Sequence, residues 1–508
     1  MDSSWITLFM SLFFIAILFL FSYLFLKSLL SKGSYQLPPG PYGLPILGNL
    51  HRLGDLPHQN LQKLSLKYGP IMYMRLGLVP AIVVTSPELA ELILKTHDIV
   101  FASRSILESG KYFGYEQKGL VFKQYGSAWR NIRKLCTLHL LTNSKIESFK
   151  STRESEVRNA VESIKVAADG QVLVNLSLIV ESLAEDITHK TIFGSLKNDR
   201  YNSKSLIQEA FRLAGAFNVA DYIPYIGPLD LQGLARQMKS TGKLVDEFLE
   251  HIIDQHIKDH GMSQQDHYQR DFVDILLSLM NAQETTMNNE LKLDRENVKA
   301  ISLDMIGAMM ETSATTVQWA ISEIIKNTRV MKLVQQELET VVGLDRQVEE
   351  TDLVKLPYLD MVLKESMRLH PVTPLLIPRE SMDDIYINGY HIPKKTRVFV
   401  NVWAIGRDKQ VWSDNAEEFY PERFIEVDVD MRGKDFRLLP FGSGRRGCPG
   451  MQMGLTLVRL MLAQLVHCFN WELPNGMLPH KLEMNEKWGL TVPRANHLMA
   501  IPIYRLTK

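Results

Sequence analysis

Leu438-Leu439-Pro440-Phe441-Gly442-Ser443-Gly444-Arg445-Arg446-Gly447-Cys448-Pro449-Gly450, ahead of an apolar run from Met451 to about Phe469, is the stretch whose reading decides the fold. Glycine at 442, 444, 447 and 450 gives a backbone that can turn tightly and let a flat ligand come close. Pro449 suits the first position of a helix, which makes Cys448 the expected N-cap. A cysteine there has helix amides and the positive end of the dipole aimed at its sulfur, so the thiolate is favoured. A thiolate on a glycine-cleared shelf suits an iron porphyrin, and a cysteine ligand favours O–O cleavage. Two other readings stand beside it. An arbitrary free cysteine is more often a buried thiol, and a zinc site would need a second Cys or His at ligand spacing, which this stretch lacks.

The stretch resembles the haem-binding loop of cytochrome P-450 enzymes, Phe-x-x-Gly-x-Arg-x-Cys-x-Gly, and matches it at Phe441, Gly444, Arg446, Cys448 and Gly450. The resemblance implies that Cys448 is the axial ligand of haem b, that Arg446 meets a haem propionate, and that Phe441 shields the sulfur, with Gly444 and Gly450 in the same cofactor-binding set. It also implies the family's fold: mainly α with a small β-rich lobe, the haem lying between a long central helix and the cysteine-led one.

The totals fit a large chain in a reducing compartment. The chain has 508 residues, 57 basic against 57 acidic, so no basic surface calls for nucleic acid and no acidic tail is present. Hydrophobic residues make up 45%, enough for a large core, and Cys136, Cys448 and Cys468 are too few for a disulfide framework. Cys136 and Cys468 read as buried thiols in apolar helices.

Trp5 to Leu26 carries no charge and, as a helix, spans about 33 Å, enough for the hydrocarbon core of a bilayer. Lys27 and Lys32 follow it while Asp2 precedes it, so residues 1–33 are expected to be a single-pass signal anchor with the rest of the chain in the cytosol. Four prolines between Pro38 and Pro45 make 34–49 a stiff linker. It resembles the proline hinge of microsomal P-450 enzymes, which leaves 34–508 as the haem-thiolate domain and the endoplasmic reticulum membrane as its address.

Farther on, Ile71–Gly77 and Ala81–Thr85 read as strands, and Ser86-Pro87-Glu88 opens a helix with a cap, a first-position proline and an early acid. Periodicity fails from Phe101 to Phe122, which predicts a long ordered loop, usually a functional one. Trp129 and Arg133, four apart on the next helix, share a face and match the family's propionate-binding pair, with Arg379 as a third contact.

Residues 145–260 read as amphipathic helix, 262–271 as a polar loop, and Asp294 to Lys326 as one helix about 50 Å long. Its centre, Gly307-Ala308-Met309-Met310-Glu311-Thr312-Ser313, resembles the oxygen-activating segment of the family, with Met309 in place of the usual glycine. A helical threonine ordinarily bonds back to its own turn; by the resemblance Thr312 and Glu311 steer protons during oxygen activation. Glu365-Ser366-Met367-Arg368 is by itself only an acid–base pair at i,i+3, and Glu209-Ala210-Phe211-Arg212 repeats the pattern. The first resembles the family's Glu-x-x-Arg motif, which with Arg423 implies a buried triad of Glu365, Arg368 and Arg423 locking the haem loop. Asn388-Gly389 between Ile385–Ile387 and Tyr390–Ile392 predicts a two-residue hairpin, and Arg397–Val402 alternates like a strand.

The resemblance covers the chain from the anchor to about residue 505, and the wording of its motifs is similar to plant A-type members of specialised metabolism. It implies a monooxygenase inserting one oxygen atom from O2 into a C–H or C=C bond, with electrons from NADPH through P-450 reductase. Cytochrome b5 and membrane lipid are further partners. The expected substrate is apolar, a terpenoid or a phenolic such as a phenylpropanoid or biphenyl, lined by Phe101, Leu107, Phe113, Ala308, Met309, Val372, Leu375, Leu376, Trp488 and Leu490. The alternatives are a haem-thiolate isomerase or dehydratase acting on peroxides without O2 or reductase, and a haem-binding protein without turnover.

Overall fold

The structure is a computed structural model that describes residues 36–194, 201–262, 270–285 and 293–507, with Met10, Ser11, Ile15, Phe19 and Ser22 from the N-terminal stretch. Those five are helical and exposed; the rest of the Trp5–Leu26 span and most of the 262–271 loop lie outside the described residues.

One helix organises the rest. It runs Arg295–Lys326, 32 residues, and starts at Asp294, whose carboxylate accepts from Asn297 N at 2.8 Å in a reciprocal capping box. Most of its residues are buried because partners cover it on several sides: the helices Leu176–Phe193, Pro357–Leu369 and Met451–Cys468 all pack on it. Val317, Ile321 and Ile324 interlock there with Val180, Leu183, Val362, Leu457 and Met461. Each such side chain contributes about 1.5–3 kcal/mol by leaving water, so the central helix is fixed by tertiary packing. Met451–Cys468 is apolar and long enough for a membrane span, but it is mostly buried and serves as a core helix.

The largest sheet packs in core clusters of its own, apart from this bundle. β1 (Ile71–Leu76) pairs antiparallel with β2 (Val79–Val84), as the sequence predicts. The short pairs β3 (Val174–Asn175), β4 (Arg379–Glu380), β5 (Ile385–Ile387), β6 (Tyr390–Ile392), β7 (Arg397–Val400), β8 (Phe469–Glu472) and β9 (Met499–Tyr504) complete three sheets, ordered β1-β2-β7-β4, β3-β9-β8 and β5-β6. The β5–β6 turn has positive φ at Asn388 (47°) and Gly389 (81°), as a two-residue primed turn requires. The third strand stops two residues early: Asn401 turns out of β7 and accepts from Ala404 N at 3.0 Å, capping the helix Val402–Ile405.

The proline-rich stretch is docked. Tyr73 N donates to Pro39 O at 3.0 Å, and a Cβ on Gly40 would stand 1.8 Å from Tyr73 O, so only glycine allows this approach to β1. The long loop expected over 101–122 is ordered and mostly irregular, broken by helical turns at Gly110–Phe113 and Tyr115–Gln117.

Candidate functional site

The cysteine loop is held from several sides. Cys448 N donates to Phe441 O at 2.9 Å and Gly447 N to Gly444 O at 2.9 Å, closing a tight turn. Gly444 has φ 68°, and a Cβ on it would lie 2.2 Å from Leu94 O, so the close approach of the two chains depends on this glycine. The expected N-cap at Cys448 is corrected: the first intrahelical acceptor is Gly450 O, bonded by Gly454 N at 2.9 Å, so Gly450 is the cap and the helix begins at Met451. Cys448 lies two residues ahead of that cap, and its N–H bond to Phe441 O ties it into the turn. An amide still reaches its sulfur, since Gly450 N–H bonds the thiol.

Cys448 lies deep in the fold, where burial pushes its thiol up, while the Gly450 amide and Arg133 pull it down. Yet it is exposed, in contrast to the buried Cys136 and Cys468, both pushed up to about 12 by burial. A thiol that is enclosed by protein and still reachable sits on the floor of an internal opening. The central helix has the matching feature. Asp304, Ala308 and Thr312, at i, i+4 and i+8, are half-buried, exposed and half-buried, on a helix where Met305, Ile306, Gly307, Met310 and Ser313 are buried. Residues at that spacing share one face.

Guanidinium groups gather beside the loop. Arg133 donates to Gly447 O at 2.7 Å; Arg379 donates to Asp98 Oδ1 and Ser443 O, each at 2.6 Å; Arg446 donates to Ala102 O at 2.7 Å and Lys123 O at 2.6 Å. Arg446 also lies 4.1 Å over the Trp129 ring, whose indole N–H donates to Leu120 O at 3.0 Å. Arg104, for which the sequence gives no sign, is buried among them and bonds the carbonyls of Ile377 and Pro378. Asp98 is the carboxylate bonded to this group, shared with Arg445 at 2.9 Å. Burial and the neighbouring Arg379 and Arg133 therefore pull Arg446 down to about 9, and burial with Arg379 and Arg446 lowers Arg104 well below the ordinary value. Arg446 Nη1 and Arg104 Nε are buried without a hydrogen-bond partner. Such an excess of buried positive charge, with donors left over, is satisfied by an anion.

These observations fit haem b. A reachable thiol at a glycine-lined turn is the donor its iron takes, and metal coordination deprotonates a thiol whatever burial does. The unsatisfied guanidinium donors suit its two propionate carboxylates.

On the central helix Thr312 Oγ1 donates to Ala308 O at 2.6 Å, the backbone bond a helical threonine ordinarily makes. Glu311 turns elsewhere: its Oε1 accepts from Thr491 Oγ1 at 2.5 Å, and burial raises its carboxyl. Met309 is half-buried and packs between two core clusters. Asp304, which sequence reasoning missed, is pushed by burial up to about 6 and accepts from Leu120 N at 2.5 Å and Val121 N at 3.0 Å, fixing the loop above the site to the central helix.

Glu365 accepts from Arg368 Nε at 2.7 Å and Arg423 Nε at 2.9 Å, with Glu365 and Arg368 fully buried and Arg423 half-buried. Of the expected lining residues, Phe101 is fully buried in the cluster of Val84, Val398 and Leu439, and Leu375 packs with Met72 and Phe399. Phe113 is buried with Leu120 and Ile301, Trp488 stacks on His58 at 5.6 Å, and Leu490 packs on Gly215. Leu107, Val372 and Leu376 are half-buried.

The profile of the cytochrome P450 family matches residues 38–499. Among curated relatives, cytochrome P450 CYP736A12 of Panax ginseng is 55% identical over 94% of this chain and 95% of its own. Desmethyl-deoxy-podophyllotoxin synthase of Sinopodophyllum hexandrum is 42% identical over 96% of each. Flavonoid 3'-monooxygenase CYP75B137 of Crocosmia x crocosmiiflora is 40% identical over 93% of each.

Proposed function

Since the chain belongs to the cytochrome P450 family and is a haem-thiolate monooxygenase of the plant type, we propose that it oxygenates a phenolic of largely apolar surface, with Cys448 as the iron ligand. Haem b, when bound, supplies the redox chemistry: one atom of O2 enters the substrate and the other leaves as water, with two electrons from NADPH through the reductase. The protein's own contribution is binding, orientation and proton control. Cys448 offers a sulfur already bonded by the Gly450 amide and beside Arg133. Arg446, Arg104, Arg379, Arg133 and the Trp129 face form the propionate end, and the Glu365–Arg368–Arg423 triad keeps the loop in register. Ala308 and Thr312 form the wall facing the substrate, and Glu311 steers protons.

The single observation behind the ligand assignment is that Cys448 is deep in the fold and exposed while the other cysteines are buried. Cys448→Ser is expected to abolish the red-shifted Soret band of the reduced CO complex, whereas Cys136→Ser and Cys468→Ser keep it. The opposite pattern overturns the assignment. The phenolic class is supported by the similarity to a desmethyl-deoxy-podophyllotoxin synthase and a flavonoid 3'-monooxygenase; terpenoids are the other class in the same test. Turnover of a phenolic and terpenoid panel in microsomes with a plant reductase distinguishes them, and turnover without NADPH would favour a peroxide isomerase.

The N-terminal stretch is proposed to anchor the protein in the endoplasmic reticulum membrane with 34–508 as the cytosolic catalytic domain, near reductase, lipid and cytochrome b5. The uncharged Trp5–Leu26 run supports this, as do Met10, Ile15 and Phe19, helical residues with large exposed apolar side chains. Protease protection of the catalytic domain in sealed microsomes would contradict the orientation.

A further inference from the structure

We infer that Thr491 is the positioning residue for Glu311, its hydroxyl holding the carboxyl that sequence adjacency would assign to Thr312. The inference rests on the proposed role of Glu311 in steering protons. Successive residues on a helix point about 100° apart, and here the separation has a chemical result. Thr312 donates to its own turn at Ala308 O, 2.6 Å, and Glu311 accepts from Thr491 Oγ1, 2.5 Å. No hydrogen bond joins Glu311 to Thr312.

The Thr491 hydroxyl is not needed to build its loop. Glu486 anchors the loop to three side chains: His58 Nε2 lies 2.8 Å from it, Gln59 Nε2 donates at 2.7 Å and Trp403 Nε1 at 3.0 Å. Val492 uses both backbone groups, N to Val372 O at 2.9 Å and O from Trp319 Nε1 at 2.9 Å. Trp488 stacks on His58 with ring centres 5.6 Å apart. With the backbone fixed on both sides, the buried Thr491 side chain is free to act on Glu311 alone.

The surroundings of Glu311 leave that hydroxyl as its donor. The charged group acting on it among the described residues is Glu181, on the packed helix Leu176–Phe193, itself held by Gln318 Nε2 at 2.9 Å. Burial and Glu181 both disfavour the carboxylate, and Thr491 opposes them. Removing the hydroxyl therefore raises the carboxyl further. A single hydrogen bond to a charged group of ordinary strength corresponds to about one pH unit.

The test uses the full chain loaded with haem. The protonated-carboxyl infrared band that Glu311→Gln removes is followed against pH without NADPH, and product formed per NADPH is followed with substrate and reductase. Thr491→Val is expected to keep the band to about one pH unit higher and to change the pH profile of coupling, while Thr491→Ser restores both. Thr491→Ala replaces the valine variant if that one does not fold. A Thr491→Val titration identical to wild type overturns the inference, as does the absence of any band that Glu311→Gln removes. Full coupling in Glu311→Gln with the titration still shifted in Thr491→Val would sink the proton-steering role and leave the positioning role standing.

Discussion

Glu365-Ser366-Met367-Arg368 and Glu209-Ala210-Phe211-Arg212 place the same acid and base at the same spacing on helices, and both close. Arg368 bonds Glu365 at 2.7 and 2.8 Å; Arg212 bonds Glu209 at 2.6 and 2.7 Å. The side chains of the first pair are 0% and 0% exposed, those of the second 55% and 42%. Spacing on a helix decides that a pair can form; the surroundings decide what it is worth. In the buried pair Arg368 also donates to the carbonyls of Gly406, Ala416 and Glu418, and Glu365 also accepts from Tyr420 N and Arg423. Three chain segments meet on two side chains, just before the cysteine loop.

The largest way to break the comparison is Arg368→Met. It leaves Glu365 charged and buried with one guanidinium, and strands the carbonyls that Arg368 served. Truncating one partner of a buried pair costs about 3–5 kcal/mol. Little folded, CO-reactive protein should be recovered, and a yield near wild type would show that the triad does not hold the loop.

Glu486 sharpens the comparison by testing another buried acid, on the loop that carries Thr491. Burial pushes its carboxyl up, but the bond to His58, the His58 charge, Gln59 and Arg407 outweigh it and hold it at about 2 instead of the ordinary 4.5. A folded-state value below the unfolded one gives stability that is complete above the unfolded value and fades as pH falls toward the folded one. Glu486→Gln should therefore cost about 2–3 kcal/mol near neutral pH. Its denaturation midpoint should approach wild type as pH drops below 4.5 toward about 2. A constant difference across that window would mean that Glu486 acts by packing and not by charge.

What could be read from the sequence follows the same division. The cysteine turn, the extent of the central helix and the Asn388-Gly389 hairpin are local patterns, and the chain follows them. The helix begins two residues after the expected Pro449 because the first carbonyl to accept an intrahelical bond is that of Gly450, while Cys448 N closes the loop on Phe441 O, a contact that spacing does not reveal. Arg104 and Asp304 were not legible at all, and for Thr491 the sequence offers only its place beside Trp488 and Leu490, not its bond to Glu311. Their partners stand 273, 184 and 180 residues away in the chain, so only the fold brings them together. The two Glu-x-x-Arg pairs lie between these cases: the bond was readable, and the burial was not, except through Arg423.

Arg423→Lys tests that third member at smaller scale. Lysine keeps the charge toward Glu365 but loses the planar fork that also reaches Trp412 O, Asn415 and Glu418 O at 3.0–3.2 Å. The expected cost is about 1–2 kcal/mol, seen as a lower denaturation midpoint with haem still bound. A neutral result would show that charge alone, without the fork, suffices.

The smallest effect belongs to Glu209→Gln, and it is the sharpest control. The bond and charge of Arg212 lower the Glu209 carboxyl, and Glu209 raises Arg212, so the pair does interact. Solvent screening keeps the gain small. Exposed pairs at this spacing contribute about 0.2–0.5 kcal/mol, because water competes for both groups and two long side chains lose freedom. A change of that size should move the denaturation midpoint by less than about 2 °C at a fixed scan rate. Whatever difference exists should shrink in high salt, since exposed charges are screened and buried ones much less. Arg212 also bonds Gln237 at 3.2 Å, which links its helix to the helix Leu234–Met262. If Glu209→Gln proved as costly as Arg423→Lys and indifferent to salt, that link would be the reason, and Gln237→Ala should then reproduce the loss without touching the ion pair.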